Sequence, residues 1–136
     1  MTLELMVNPD ASQTDVYKIA RVVYAECGAS SLPAVEALCA MIANIARATG
    51  RSHVDVACDE NVLPAQNASS RHFPRMHVTP TSRGFQMCLR VAQRMMSGAL
   101  SDVCHGAVRF HHADEMPAWA MARGYIADVD GLLFYR

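Results

Sequence analysis

Apolar side chains recur every three to four residues in three stretches of the chain, 12–27, 30–50 and 82–98. This spacing is typical of the buried face of a helix. Each stretch opens on a serine or threonine that can cap a helix N-terminus, and it closes at or before a glycine that can end one. The pattern predicts three helices, the first two packed antiparallel across a short turn. The candidate N-caps are Ser12 or Thr14, Ser30 or Ser31, and Ser82.

The other segments lack helical spacing. Histidine, proline, asparagine and serine accumulate over 51–81, which we expect to be irregular apart from a short turn near 54–58. Residues 107–111 favour a strand, and Asp130-Gly131 within the β-favouring stretch 125–135 is a strong hairpin signal. The predicted fold class is therefore mainly α (α+β), with a small β-hairpin at the C-terminus.

The chain has 136 residues, 51% of them hydrophobic, which is typical of one domain. We expect a single domain over 1–136 with a loosely ordered segment at 1–11. A net charge of −1 gives no general reason to expect a nucleic-acid partner. The start has no basic region before an apolar stretch, and no apolar run approaches about 18 to 20 residues. We therefore expect synthesis in the cytoplasm without a signal peptide, and no membrane span.

The cysteines and histidines do not form a regular ligand pattern. Five cysteines at irregular spacing, without a CxxC pair, indicate reduced and mostly buried thiols, with one optional bridge still possible. A metal cluster would need regular spacing from defined elements. We therefore expect no metal and no cofactor. The residues considered for such a cluster are Cys104, His105, His111, His112, Asp114 and Glu115.

Glu26 is the candidate general acid. It follows Ile19 by seven residues, so at about 100° per residue the two side chains lie on nearly the same helix face. A carboxyl on that apolar face is partly desolvated and can hold a proton near neutral pH, as a general acid must. Alternatively, Glu26 turns outward at a frayed helix end. A thiolate at Cys27 is less favoured, because it would lie at the helix C-terminus.

Several motifs follow one another in an order that resembles the SleB-like cell wall hydrolases, the spore-cortex-lytic family. The resemblance spans roughly 16–136 and implies a lysozyme-like helical fold that cleaves the glycan strands of peptidoglycan. It also implies that Glu26 is the catalytic acid. The motifs are ARVVYAE at 20–26, Asn44 at the end of the second helix, GAVRFH at 106–111, PAWA at 117–120 and FYR at 134–136.

The available acids favour a mechanism with one carboxyl group. Ordinary glycosidases use two carboxylates, whereas a lytic transglycosylase uses the 6-hydroxyl of the muramyl residue as its nucleophile. No acid in a predicted loop belongs to a recognisable motif, so we expect transglycosylase-type cleavage, with muramidase-type cleavage as its variant. The alternative is a non-catalytic module that binds glycan or builds a phage-like particle. The loop acids are Asp59, Glu60, Asp102, Asp114 and Glu115.

Five residues are predicted to bind the glycan. Tyr24 and Gln66 lie in segments that resemble the first and middle family motifs. Trp119 and Tyr135 can stack on sugar rings or pack in the core, and His111 is expected to end a strand facing the groove. His112 is expected at the surface. Five arginines between 61 and 101, with no acidic residue among them, can attract an anionic wall polymer or nucleic acid, or form a solvated helix face.

Overall fold

The computed structural model describes residues 14–28 and 31–136, and it has a mainly α fold with one small antiparallel sheet. The predicted fold class is confirmed. The predicted N-terminal segment 1–11 and the candidate caps Ser12 and Ser30 lie outside the described residues. The helices are α1 (Asp15–Cys27), α2 (Leu32–Thr49), α3 (His53–Ala57) and α4 (Arg83–Met96), and the strands are β1 (Arg109–His112), β2 (Tyr125–Val129) and β3 (Leu132–Tyr135).

The three long helices begin at the capping residues that the sequence indicates. The hydroxyls of Thr14, Ser31 and Ser82 each accept a hydrogen bond from the main-chain N–H three residues later. These bonds satisfy N–H groups that have no partner within the helix. Gly50 ends α2 in the left-handed conformation, with φ of 74°, which glycine adopts without strain.

The segment 51–81 contains three short turns of helix. Besides α3, it forms two 3₁₀ turns, Pro64–Gln66 and Phe73–His77. The expectation of irregular structure with a short turn near 54–58 is therefore confirmed. Both 3₁₀ turns contact α1, so this segment brings main-chain and side-chain groups to the helix that carries Glu26.

The sheet has the strand order β1-β3-β2, and both pairings are antiparallel. The predicted hairpin is β2 and β3, and β1 pairs with the other edge of β3. Asp130 and Gly131 both have positive φ, 51° and 87°, as a tight two-residue hairpin turn requires. The sheet therefore places β1 and its two histidines beside the last strand.

Helix α1 lies at the centre of the hydrophobic core. It contacts α2, α3, α4 and both 3₁₀ turns. Eight of its 13 residues are buried, and Tyr17 meets Phe85 of α4 edge to face with ring centroids 5.0 Å apart. The buried face of α1 continues through Ile19 to Glu26, so Glu26 is held in the core rather than turned outward.

Helix α2 bears on the expectation that the chain has no membrane span. It has 18 residues, and by length and composition alone it could cross a membrane, so that expectation stays a prediction. However, 56% of this helix is buried within the structure. Its apolar residues pack in the same core as α1, which accounts for its composition.

A polar network anchors the loop before β1 to the end of α2. The Asn44 amide donates to the carbonyl of Ala107 at 3.1 Å and to the carboxylate of Asp102 at 3.4 Å. Asp102 also accepts from the main-chain N–H groups of Cys104 and Gly106. Burial acts to raise the pKa of Asp102, but these hydrogen bonds outweigh it and hold the pKa below its usual value of 3.8.

We predict that Asp102→Asn lowers the free energy of unfolding at pH 7 by about 1 kcal/mol. The carboxylate of the folded state is the stabilised form, so its contribution is present above the unfolded pKa and is lost as pH falls through the lower folded pKa. Urea unfolding at several pH values measures this. The difference between variant and wild type should shrink below about pH 4, and a difference independent of pH would contradict the assignment.

Candidate active site

Glu26 is a buried carboxyl held at both oxygens. Its side chain lies in the last turn of α1 and is only 2% exposed. Oε1 accepts from the main-chain N–H of Ala65, in the first 3₁₀ turn, at 3.1 Å. Oε2 lies 2.6 Å from Nε2 of His112 and shares a hydrogen bond with it. Two segments remote in sequence therefore position the predicted acid.

His112 is the main functional residue that the sequence reasoning missed. It was expected at the surface, but its side chain is only 15% exposed and contacts Glu26. Strand alternation explains the error, because residues i and i+2 of a strand share a face. Phe110 of β1 is buried, and its ring lies 5.8 Å from that of His112. That periodicity was the available signal for an inward-facing His112.

His72 is a second residue that the sequence did not single out. Its ring lies against that of His112, with centroids 4.7 Å apart and the ring planes tilted by 32°. Its Nε2 is buried without a hydrogen-bond partner among the described residues. Burial lowers the pKa of His72, and repulsion from a protonated His112 and from the guanidinium groups of Arg75 and Arg71 lowers it further, against a smaller opposing effect of Glu26. His72 therefore faces the site as a neutral ring at neutral pH.

Two cavities meet Glu26. The larger, which we call the Glu26 cleft, has a volume of about 350 Å³ and is lined by side chains that include His111, Glu115 and Trp119. The smaller has about 220 Å³ and is lined by side chains that include Arg75 and Asp130. Glu26, His72 and His112 line both cavities. The acid therefore has a cavity beside it despite its low exposure.

The end of α1 depends on a glycine. Gly28 has φ of 66°, and a Cβ there would lie 3.4 Å from the guanidinium of Arg75. That guanidinium donates to the carbonyl of Ala25 at 3.4 Å, which satisfies a carbonyl in the last turn of the helix. A Cβ at that distance would make an ordinary contact, so it is the positive φ that requires glycine here, and Arg75 covers the end of α1 beside the smaller cavity.

An aromatic wall borders the Glu26 cleft. Trp119 is 36% exposed and meets both His111 and Tyr135 edge to face, at 5.7 and 5.2 Å between centroids. The guanidinium of Arg109 lies 5.1 Å from the centre of the Trp119 ring. Tyr125 packs on the far side of Tyr135. The structure thus brings three of the predicted binding residues together, namely His111, Trp119 and Tyr135.

Hydrogen bonds assign the proton positions of His111 and Tyr135. Nδ1 of His111 lies 2.7 Å from the carbonyl oxygen of His112, which only accepts, so Nδ1 carries the proton. In the neutral ring Nε2 then accepts from the hydroxyl of Tyr135 at 2.9 Å. The Tyr135 hydroxyl therefore donates its proton to His111 within the aromatic wall, and its oxygen remains able to accept a hydrogen bond.

Tyr24 and Gln66 do not join this arrangement. Tyr24 precedes Glu26 by two residues, so on α1 the two side chains point about 200° apart. Tyr24 packs against the core and lines neither cavity that contains Glu26. The Gln66 amide donates to the carbonyls of Ala57 and Leu63 at 2.9 and 3.0 Å, which ties the first 3₁₀ turn to α3. The prediction that these two residues bind substrate is therefore not supported by their positions.

Only one of the loop acids weighed as a second carboxylate lines the Glu26 cleft. Glu115 does so, and one of its oxygens accepts from the main-chain N–H of His112 at 3.4 Å. Asp102 accepts a main-chain hydrogen bond from Gly106 in the loop before β1, and Asp114 pairs with Arg71 at 2.7 Å. Glu115 is therefore the acid to test beside Glu26.

The cysteines, which were also considered as reactive or metal-binding groups, lie in surroundings that indicate a structural role. All five cysteines are thiols, and Cys58 alone among them is exposed. Cys27 donates to the carbonyl of Val23 at 3.2 Å. Burial, with the nearby charge of Asp102, raises the pKa of Cys104 to about 12. Within the described part of the chain, no three His, Cys, Asp or Glu side chains are grouped so as to hold a metal ion.

The arginines of 61–101 do not act as one unpaired basic patch. Arg71 pairs with Asp114, and Arg94 pairs with Glu36 at 2.8 Å. Both acids come from outside the acid-free stretch. The local excess of positive charge that the sequence indicates is therefore partly neutralised by the fold.

No family model matches the sequence, and no curated protein or solved structure matches it either. The function is therefore inferred from the chemistry of the site.

We predict that Tyr135→Phe lowers the free energy of unfolding by about 1 kcal/mol, because Nε2 of His111 then lacks its donor in a buried position. Urea unfolding measures the loss. Tyr125→Phe is the matched control, since the Tyr125 hydroxyl makes no hydrogen bond to the described residues and its side chain is exposed. Equal losses in the two variants would contradict the proton assignment.

Proposed function

We propose that this protein cleaves the glycan strands of peptidoglycan, with Glu26 as the acid and base of a lytic transglycosylase reaction. The observation that carries the proposal is the buried Glu26 carboxyl beside a cleft with an aromatic wall. Buried carboxyls are suited to general acid catalysis, because a low-polarity environment favours the protonated form. Aromatic side chains near such a group are suited to binding pyranose rings.

The proposed reaction proceeds with one carboxyl group. Protonated Glu26 gives its proton to the oxygen that links a muramyl residue to the next sugar, and the bond from the anomeric carbon to that oxygen breaks. The muramyl 6-hydroxyl then bonds to the anomeric carbon and returns its proton to the Glu26 carboxylate. Each cycle leaves Glu26 protonated again, so no second carboxylate is needed.

The aromatic wall would orient the glycan beside Glu26. The exposed part of Trp119 offers a ring face, and Arg109 adds a positive charge on that ring. Tyr135 is only 7% exposed and does not itself line the Glu26 cleft, so its part is to hold His111 through the hydrogen bond between its hydroxyl and Nε2. The ligand class that fits this wall is a neutral, hydroxyl-rich polymer with N-acetyl groups.

Peptidoglycan lies outside the cytoplasm, so the proposed activity requires the protein to reach the cell wall. A phage-like lysis system or particle is the partner class that would deliver it there. The lysozyme-like fold and the SleB-like family belong to the same proposal, and both rest on the motifs quoted above. A non-catalytic module of the same fold would bind glycan strands without cleaving them.

The second candidate is muramidase-type hydrolysis, and the position of Glu115 favours it. This carboxylate lines the same cleft as Glu26. In the inverting route a second carboxylate activates water on the opposite face of the sugar. Glu115 is half-exposed and lies 3.6 Å from Arg71.

We predict that Glu26→Gln lowers the rate of peptidoglycan cleavage by a factor of about 10² to 10⁴, the usual effect of removing a general acid. Glu36→Gln is the matched control, because Glu36 lies in α2, pairs with Arg94 and lines no part of the Glu26 cleft. Release of soluble fragments from purified peptidoglycan measures the rate. Undiminished cleavage by the Glu26 variant would exclude this residue as the acid, and binding without cleavage by the wild type would favour the non-catalytic module.

We predict that the wild type releases fragments with 1,6-anhydro ends, about 18 mass units lighter than the hydrolysis products, since no water is added. Mass spectrometry of the digest distinguishes the two. Glu115→Gln should change the cleavage rate by less than about tenfold if Glu26 alone is both acid and base. Reducing ends only, together with a large loss of rate in the Glu115 variant, would instead support the muramidase route.

A further inference from the structure

We propose that His112 is the positioning residue for Glu26, and that the two side chains share one proton which His112 exchanges with solvent. This inference rests on the proposed function and deepens it by naming the group that supplies the acid with its proton. The central observation is the distance of 2.6 Å between His112 Nε2 and Glu26 Oε2, with both side chains largely buried.

Only one oxygen of Glu26 is available for a transferable proton. Oε1 is an acceptor for the N–H of Ala65, which fixes the plane of the carboxyl group. A proton on Glu26 therefore lies on Oε2, the oxygen that contacts His112. The same proton can lie on either partner, so the pair exists as a neutral carboxyl with a neutral ring or as a carboxylate with an imidazolium.

His112 also connects the buried carboxyl with solvent. Its Nδ1 makes no hydrogen bond to any described residue, and it is not among the fully buried side-chain atoms that lack a partner. The ring lines both cavities that meet Glu26. A proton can therefore enter at Nδ1 while Nε2 delivers one to Glu26, which is a role that a histidine fills and an amide does not.

The surrounding side chains hold the ring of His112 in place. The His72 ring packs against it at a tilt of 32°, and Phe110 meets the ring edge to face. The main-chain N–H of His112 donates to Glu115, and its carbonyl accepts from His111. These four contacts fix the ring that in turn fixes Oε2 of Glu26.

The charged neighbours favour a single shared proton. Burial, followed by repulsion from a protonated His112 and from the guanidinium groups of Arg75 and Arg71, lowers the pKa of His72, so His72 does not compete for the proton. Glu115 faces His112 from the loop after β1, where it lies near Arg71 with Asp114. Asp130 faces the smaller cavity from the hairpin turn.

The proton balance of the proposed reaction is preserved. Before cleavage the shared proton lies on Glu26, which gives it to the leaving oxygen and later takes one back from the 6-hydroxyl. His112 is neutral during these steps and neither gains nor loses a proton over the cycle. Its part lies outside the cleavage steps: when the pair has lost its shared proton to solvent, His112 takes one up at Nδ1 and returns it to Glu26 through Nε2.

The pairing is tested first by proton NMR, without reference to activity. We expect a downfield imidazole N–H resonance from the short bond between His112 and Glu26. It should be absent in His112→Gln, move upfield in Glu26→Gln, and persist in the matched control His77→Gln, whose imidazole is exposed and contacts Phe73. Absence of this resonance from the wild type, or its loss in the His77 variant alone, would overturn the pairing.

The functional test is the pH dependence of kcat for peptidoglycan cleavage. Glutamine retains a donor toward Oε2 but carries no exchangeable acid proton. An isolated histidine loses its proton about two pH units above an isolated glutamic acid, so the alkaline limb of His112→Gln should move to lower pH by about one unit or more. Added imidazole should restore part of the activity of His112→Ala at neutral pH.

The outcomes separate this inference from the proposed function. An active wild type whose alkaline limb does not move in His112→Gln would overturn the role of His112, because a merely structural change lowers kcat equally at all pH values. An inactive wild type that retains the downfield resonance would refute the glycan-cleaving function while supporting the shared proton. A shifted limb, together with rescue by imidazole, supports both.

Discussion

The site depends on the burial of one carboxyl group in the apolar face of α1. A carboxyl in such a position is costly unless its oxygens are hydrogen-bonded. Glu26 meets this requirement through Ala65 on one side and His112 on the other. The segment 51–81 and the C-terminal sheet are therefore both tied to the same helix turn. Much of the loop geometry around the cleft follows from satisfying these two oxygens.

The helices and the hairpin could be predicted because their signals are local. Periodicity, capping hydroxyls and the Asp130-Gly131 turn depend on neighbouring residues, and they placed α1, α2, α4 and β3 close to their observed bounds. Helical spacing placed Glu26 on or beside the apolar face and left its orientation open between inward and outward. The 3₁₀ turn that supplies the N–H of Ala65 could not be anticipated, because its contact with α1 joins residues 39 apart in sequence.

The errors at the site have the same physical origin. His112 was assigned to the surface because its adjacent neighbour, His111, was assigned to the groove, but strand alternation alone does not show which face meets another element. Here both faces of β1 are covered, since His111 contacts Tyr135 and His112 contacts Glu26. Tyr24 and Gln66 were chosen by motif, and their hydrogen bonds or packing serve the scaffold instead.

The central place of α1 has a consequence for how the protein opens. A helix in contact with every other helical element of residues 31–136 cannot detach without breaking the core, so its amide protons should exchange only through global unfolding. Trp119, by contrast, lies in a loop whose neighbours Met116 and Met121 are strongly exposed. Local fluctuations of low free energy are expected there. The two sides of the cleft thus belong to different cooperative units, and a ligand can be accommodated by movement of the wall while the acid stays fixed.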